Sequence, residues 1–284
     1  METPLLSVCI ITYNHEAYIR QALDSVLEQN ITFSWEIIIA DDYSSDNTRE
    51  ILHEYQRKYP GLIKLILQEK NIGPARNWID LLNAPKGKYI AYFDGDDYWT
   101  NPDKLQIQVN FLENNPEFSS CFHDTKVWDN EKEIFIYPEY TNDTYTVKDL
   151  LGNTALFHTS SFIFRRMALI LPQWIPEIRS GDMVLFVIIA KWGPVKYIPG
   201  KMSVYRRHPK GVSNVTRQDA LAVNENHILR LNYLDAFLDH KYSKTIDTTI
   251  KKYKKEIFYF SPLGKIVSFI RLRTRLKKLF GLSK

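Results

Sequence analysis

The sequence predicts an α/β fold with a mostly parallel sheet covered by helices on both faces, followed by a helical C-terminal extension. Three observations carry this. Four apolar, β-type runs alternate with four amphipathic segments over about the first 110 residues. Three of those runs end in polar or acidic clusters, as strands do when their carboxyl ends line one rim. From about residue 217 onward only helical periodicity remains.

Each element has a local reason. Residues 5–12 (LLSVCIIT) form a buried strand, and 17–29 place Ile19, Ala22, Leu23, Val26 and Leu27 at helical spacing. EIIIA at 36–40 is a second strand. Asp46 is a good N-cap for a helix over 48–59, which Pro60-Gly61 ends. Residues 62–67 are a third strand, and 74–82 a short helix that starts with Pro. YIAYF at 89–93 is a fourth strand, with a helix over 102–113 after it. Beyond about residue 115 the pattern loosens. Strands are expected at 118–128, 133–137 and 160–165, an apolar helix at 183–192, and two short strands at 196–198 and 202–206. The expected domains are 1–215, made of halves 1–115 and 116–215, and a helical region 216–284.

Hydrophobic residues make up 44% of the chain, enough for a sizeable core, and the 13% aromatic content leans weakly toward ligands with bases or sugar rings. The two cysteines, Cys9 and Cys121, sit in apolar runs without metal-type spacing, so a reducing cytoplasm is expected. The N-terminus lacks a basic leader, and no apolar run reaches the length of a membrane span. The net charge of +4 hides an asymmetry. From Lys241 onward 13 Lys and Arg face 2 acids, whereas the rest carries 24 bases against 31 acids.

The polar strand ends are the candidate site: Thr12, Tyr13, Asn14 and Glu16 after the first strand, Asp41 and Asp42 after the second, and Asp94-Gly95-Asp96-Asp97 after the fourth. Three carboxylates in four residues repel one another unless a cation intervenes, and hard oxygen donors suit Mn²⁺ or Mg²⁺. An isolated DGDD is more often a capping turn; its place beside two other polar strand ends reverses that preference. Asp41 suits a base N–H or ribose hydroxyls, while Ser44, Ser45 and Asp46 favour helix entry. Arg76, after Asn71-Ile72-Gly73-Pro74, is placed to reach a phosphate or base or to pair with Asp41. Asp182 precedes an apolar helix and by itself reads as its N-cap. His123 and His158 read first as ordinary core histidines, with an acceptor pocket as the alternative.

The blocks SVCIITYNHEAYIRQALDSVLEQ, EIIIADDYSSDNTREIL, NIGPARNW and GKYIAYFDGDDYWTNPDKL, in this order and spacing, resemble glycosyltransferase family 2. A weaker likeness continues through SGDMVLFVIIAKWG and VYRRHPKGVS to about residue 213. The resemblance implies a GT-A fold, Rossmann-like, with a nucleotide-binding half and an acceptor-binding half. It implies that Thr12, Tyr13 and Asn14 surround the nucleobase and ribose, that Asp41 binds uracil, and that Arg76 is its basic neighbour. Asp94 resembles the first acid of the DxD motif and Asp96 the direct metal ligand, with Asp97 an extra acid orienting water or the loop. Asp182 matches the catalytic base. The family's Glu-Asp is Gly181-Asp182 here, leaving one acid. His208 resembles a late metal or diphosphate ligand. No Gln-x-x-Arg-Trp motif of processive synthases is present, so single transfers are expected.

The implied activity is inverting transfer of one sugar from a nucleotide-sugar, a UDP-sugar by expectation, to a cell-surface glycan or lipid-linked precursor. A non-catalytic nucleotide-sugar-binding protein and a sugar nucleotidyltransferase-like enzyme are the alternatives, although the latter usually begins with a Gly-rich, Arg-containing loop. A dehydrogenase would need a Gly-rich turn where TYNHEAY stands. Nucleic acid is not expected as a partner, because the acidic strand ends would repel it. The basic amphipathic tail 261–284 suits peripheral contact with the inner face of the cytoplasmic membrane. Docking on its own domain, RNA binding and a dimer contact are the other readings of that tail.

Overall fold

A computed structural model describes residues 3–129, 132–135, 137–152, 155–209, 211 and 220–260. The chain divides into two compact units, Met1–Gly211 and Val212–Lys284. In the first, strands and helices alternate as β1 (Leu6–Thr12), α1 (Ile19–Leu27), β2 (Trp35–Asp41), α2 (Thr48–Lys58), β3 (Ile63–Leu67), α3 (Pro74–Asn83) and β4 (Tyr89–Asp94). A short β5 (Tyr98–Trp99) precedes α4 (Lys104–Asn114). Then come β6 (Ser120–Asp129), β7 (Lys132–Ile134), β8 (Thr144–Tyr145), α5 (Val147–Leu150), β9 (Ile163–Arg165), α6 (Gly181–Ala190) and β10 (Val195–Arg207).

Among the described residues ten strands join one sheet, whose main path runs β3-β2-β1-β4-β9-β6-β10-β5. The β3-β2-β1-β4 half is wholly parallel, and β6 pairs β10 in parallel. β9 runs antiparallel between the two halves. Burial on both faces explains why β1 and β2 read as continuous apolar runs. Leu6, Val8 and Ile10 pack with Ile19, Leu23 and Val26 of α1 in a core that Ile37, Ile39 and Phe93 continue. Register sets the site: Thr12 pairs with Asp41, and Ile11 with Asp94, so three strand ends stop at one level.

Several expectations needed adjustment. The expected strand over 160–165 is a single 3₁₀ turn, Thr159–Ser161, followed by the three residues of β9. The two short strands at 196–198 and 202–206 are one strand, β10, interrupted by register shifts at Ile198/Lys201 and Lys201/Ser203. Pro199-Gly200 lies within this interruption, at a bulge of β10. The Gly200 N–H donates to Asp124 at 2.8 Å, and the Tyr197 hydroxyl binds the same carboxylate. Of the expected strand 133–137, residues 133 and 134 lie in β7 and residue 136 lies outside the described residues.

In the second unit, α7 (Ala220–Phe237) and α8 (Ser243–Phe260) pack on one another. Leu231, Leu234, Ile246, Ile250 and Tyr253 are buried there. The tail 261–284 lies outside the described residues. Among the described residues no helix is long and apolar enough to cross a membrane.

Candidate active site

The loops after β1 and β2 are locked to each other. Asn14 takes a left-handed backbone (φ 54°), and its N–H donates to Ser44 Oγ at 2.8 Å. Its Oδ1 accepts the Ser45 N–H at 2.8 Å. Glu16 turns to the start of α2, where Oε2 accepts the Asn47 backbone and side-chain N–H groups at 3.0 and 2.8 Å. Asp46 accepts the Thr48 N–H at 3.0 Å, which satisfies an orphan donor of α2. Tyr13 stands 45% exposed on the rim, and Thr12 is buried with its Oγ1 unpartnered among the described residues.

Asp41 is fully buried and well bonded. Its Oδ1 accepts the Ser44 N–H at 3.0 Å and Arg49 Nε at 2.5 Å, and its Oδ2 accepts the Ser44 hydroxyl. The expected pairing of Asp41 with Arg76 is not formed. Arg76 is exposed on α3, and the guanidinium beside Asp41 is that of Arg49, in the first turn of α2. Asp42 reaches the loop before α3, where Oδ1 accepts the Ile72 N–H at 2.7 Å. Burial pushes its carboxyl upward, with the Ile72 and Gly73 N–H groups opposing.

The acidic turn begins where β4 ends. Gly95 is required by close approach: its N–H donates to Ile11 O at 2.8 Å, and a Cβ would stand 2.9 Å from Ile19 Cδ1 and 3.1 Å from Ile11 O. Asp94 accepts hydrogen bonds from the Tyr92 and Thr159 hydroxyls, both at 3.3 Å. Burial first, then the charges of Asp96 and Asp182, push its carboxyl up to about 7. Asp96 moves the other way. Burial opposes ionisation, but the His208 hydrogen bond and the nearby His15 outweigh it and hold the group below the ordinary range. His208 Nε2 lies 2.9 Å and His15 Nε2 3.7 Å from the same atom, Asp96 Oδ2.

Asp97 faces inward and is buried. Its Oδ1 accepts the Arg206 N–H at 3.0 Å, and its Oδ2 lies 3.5 Å from His158 Nδ1. Burial, then Asp96 and Asp94, raise its carboxyl well above the ordinary value. One ligand atom each from Asp94, Asp97 and His158 lie within 4.8 Å of one another. Asp97 is the more deeply buried of the two neighbouring acids, with 1% of its side chain exposed against 14% for Asp96. His158 stacks on Tyr205 at 4.3 Å, and burial drives its imidazole down to about 4, against the charge of Asp96. Arg206 fixes the turn from β10: Nη1 donates to Asp96 O at 2.6 Å and Nη2 to Gln21.

Asp182 enters from α6. It is not that helix's N-cap, a position Ser180 takes; it lies in the first turn. Its charge acts on Asp94, Tyr92 and Tyr137, so α6 brings a second acidic group to the DGDD turn. His123, by contrast, is buried in β6, with Nδ1 2.8 Å from Asp124 O.

Thr12, Asn14, Asp41, Asp94, Gly95, Asp96, Asp182 and His208 thus surround one rim of the sheet, and Arg76 stands apart from Asp41. Sequence reasoning missed Arg49, His15 and Arg206 as members of this cluster, and offered His158 only as an alternative acceptor-pocket residue. His15 had a signal, its place in a polar strand end. Arg206 had none, because it comes from β10, more than a hundred residues beyond the acidic turn.

Comparison with known proteins agrees. The family described as Glycosyl transferase family 2 matches residues 7–171. An uncharacterized protein of Mycobacterium tuberculosis, Rv1520, is 40% identical over 212 residues, 73% of this chain and 60% of that protein. The chain therefore spans about 60% of the length of this mycobacterial relative. The Escherichia coli UDP-Glc:alpha-D-GlcNAc-diphosphoundecaprenol beta-1,3-glucosyltransferase WfgD is 30% identical over 67% of this chain and 72% of its own. Among solved structures, S. aureus TarS 1–349 in complex with UDP-GlcNAc shares the fold at TM-score 0.64 and 20% identity, over 90% of this chain and 73% of that one. The mannosyltransferase PcManGT from Pyrobaculum calidifontis, in complex with GDP-Man and Mn²⁺, does so at TM-score 0.61 and 17% identity, over 98% and 81%. With its sheet order, its acidic turn and this match over more than half its length, the chain belongs to glycosyltransferase family 2 and has the GT-A fold.

Proposed function

We propose that this protein transfers one sugar, with inversion, from a UDP-sugar to a hydroxyl of a cell-surface glycan or lipid-linked precursor, and that a divalent cation is required. The observation that carries the proposal is that Asp96 and Asp182, from separate elements, both act electrostatically on the buried Asp94. WfgD, by its name, uses UDP-Glc and a diphosphoundecaprenol-linked acceptor, which supports this donor and acceptor class. The UDP-GlcNAc held by TarS supports it also.

The donor set fits a hard cation. Burial first, then the charges of Asp96 and Asp182, push Asp94 up to about 7, while two imidazoles converge on one oxygen of Asp96. Asp96, Asp94 and His208 would hold Mn²⁺ or Mg²⁺, which when bound supplies charge neutralisation for the leaving diphosphate. The Mn²⁺ in the PcManGT complex supports that choice. Thr12, Tyr13 and Asn14 border the nucleoside, and Asp41 supports their loop through Ser44. An Asp182 carboxylate oxygen takes the proton of the acceptor hydroxyl. The acceptor's oxygen bonds to the anomeric carbon on the face opposite the diphosphate as the bond from that carbon to the diphosphate oxygen breaks, so the configuration inverts. Residues 1–115 serve the donor, 116–215 the acceptor, and 216–284 form the extension. The basic segment 261–284 is assigned to the anionic inner face of the membrane, by its composition.

Release of UDP from a donor panel, with and without Mn²⁺, tests the assignment. Asp182→Asn is expected to stop turnover while UDP still binds. Asp96→Ala is expected to abolish Mn²⁺-dependent UDP binding. Full turnover by the first variant, or unchanged binding by the second, removes the role given to that residue.

A further inference from the structure

Tyr43 is held in a backbone conformation that a tyrosine rarely adopts. Its φ is 64°, in the left-handed region where bulky residues are outliers, yet its ring stands 49% exposed. Strain of this kind persists where the surroundings over-determine it, and it clusters at functional sites. Here the surroundings do over-determine it. The next residue, Ser44, is bound to Asp41 through both its N–H and its hydroxyl, and it accepts the Asn14 N–H. Ser45 is bound to Asn14 Oδ1.

The ring is also backed. The Arg49 guanidinium lies 4.9 Å from its centroid, and that guanidinium is fixed at 2.5 Å by Asp41 and at 2.5 Å by the Gln68 carbonyl. An aromatic ring on a fixed cation gives up little freedom when a second planar group stacks on it. Tyr43 follows β2, two strands from the acidic turn that ends β4. Neighbouring strands are ~4.8 Å apart, so the two strand ends are separated by ~10 Å. A nucleoside covers that kind of distance between its base and its 5′ diphosphate.

We propose that Tyr43, backed by Arg49, is the stacking platform for the donor's nucleobase. This rests on the nucleotide-sugar reading above, and it adds a ring beside Asp41, whose carboxylate is held in place by Ser44 and Arg49. Stacking reads any planar base, so the platform supplies affinity, and discrimination among bases lies elsewhere.

Calorimetric titration of the full chain with UDP, with GDP and with inorganic pyrophosphate, each with Mn²⁺, tests this on Tyr43→Gly, Tyr43→Asn and Tyr43→Phe. Glycine and asparagine tolerate the left-handed backbone, so these variants remove the ring without adding strain. They are expected to bind whichever nucleoside diphosphate the unmodified protein takes about tenfold more weakly. Pyrophosphate binding stays unchanged, the melting temperature of Tyr43→Gly is not lowered, and Tyr43→Phe keeps the original affinity. Unchanged nucleotide affinity in the glycine and asparagine variants overturns the proposal. So does an equal loss of pyrophosphate binding, which would mark a structural role, or a loss in Tyr43→Phe, which would shift the contact to the hydroxyl. If the unmodified protein takes neither UDP nor GDP, the donor reading fails as well, and that failure shows without any variant.

Discussion

Two buried charges have effects that can be measured separately. Asp41 is fully buried, and Arg49 is its ion-pair partner at 2.5 Å. Removing one member of such a pair leaves the other charge uncompensated, which costs more than the pair itself contributes. Arg49 remains partly exposed, so Arg49→Met is expected to destabilise by about 2 kcal/mol, below the range for fully buried pairs. Denaturant titration measures this, and adding Asp41→Asn should recover part of the loss. Lys104 is the opposite case. It is buried on α4 with its Nζ 4.1 Å from the Trp99 ring centroid and no hydrogen-bond partner among the described residues. Burial brings its ammonium down to about 7. The unfolded chain holds that proton up to the ordinary value near 10.5. Between those two values the unfolded state binds more protons, so this group's contribution to stability rises with pH. Lys104→Met is therefore expected to melt higher than the parent below pH 7, with the gap closing toward pH 10 in paired thermal scans.

At the scale of elements, the site depends on where strands stop and how closely they approach. Gly95→Ala forces a methyl group against Ile19 and the Ile11 carbonyl at the end of β1. Overpacking of this kind costs about 1–3 kcal/mol. Because the same turn presents Asp94 and Asp96, weaker Mn²⁺ affinity should accompany the lower melting temperature. Stability loss with unchanged Mn²⁺ affinity would separate the turn's packing from its binding role. β1, β2 and β4 were legible because each is a nearly continuous buried run that ends in polar residues. β10 was not. Pro199-Gly200 lies within its interruption, and only Asp124 on the neighbouring β6 shows why the strand continues through it. That continuation carries Arg206 to the acidic turn.

For the whole molecule, the first unit contains its own sheet and core, together with the residues gathered at the rim. A chain ending at residue 215 is expected to melt cooperatively and to bind UDP with Mn²⁺ as the full chain does. A noncooperative melt or lost binding would make the helical extension part of the site. What the sequence by itself determined is the alternation of strands and helices, the rim to which β1, β2 and β4 bring their polar ends, and the acidic turn. These are local patterns, set by apolar periodicity and by a few residues next to each strand end. Only the tertiary structure decided which cation faces Asp41, which histidines flank Asp96, and that Asp97 turns inward toward His158. Those pairings join residues from 8 to 112 positions apart. Register and helix packing bring such residues together, and no short window of sequence encodes a distance in space.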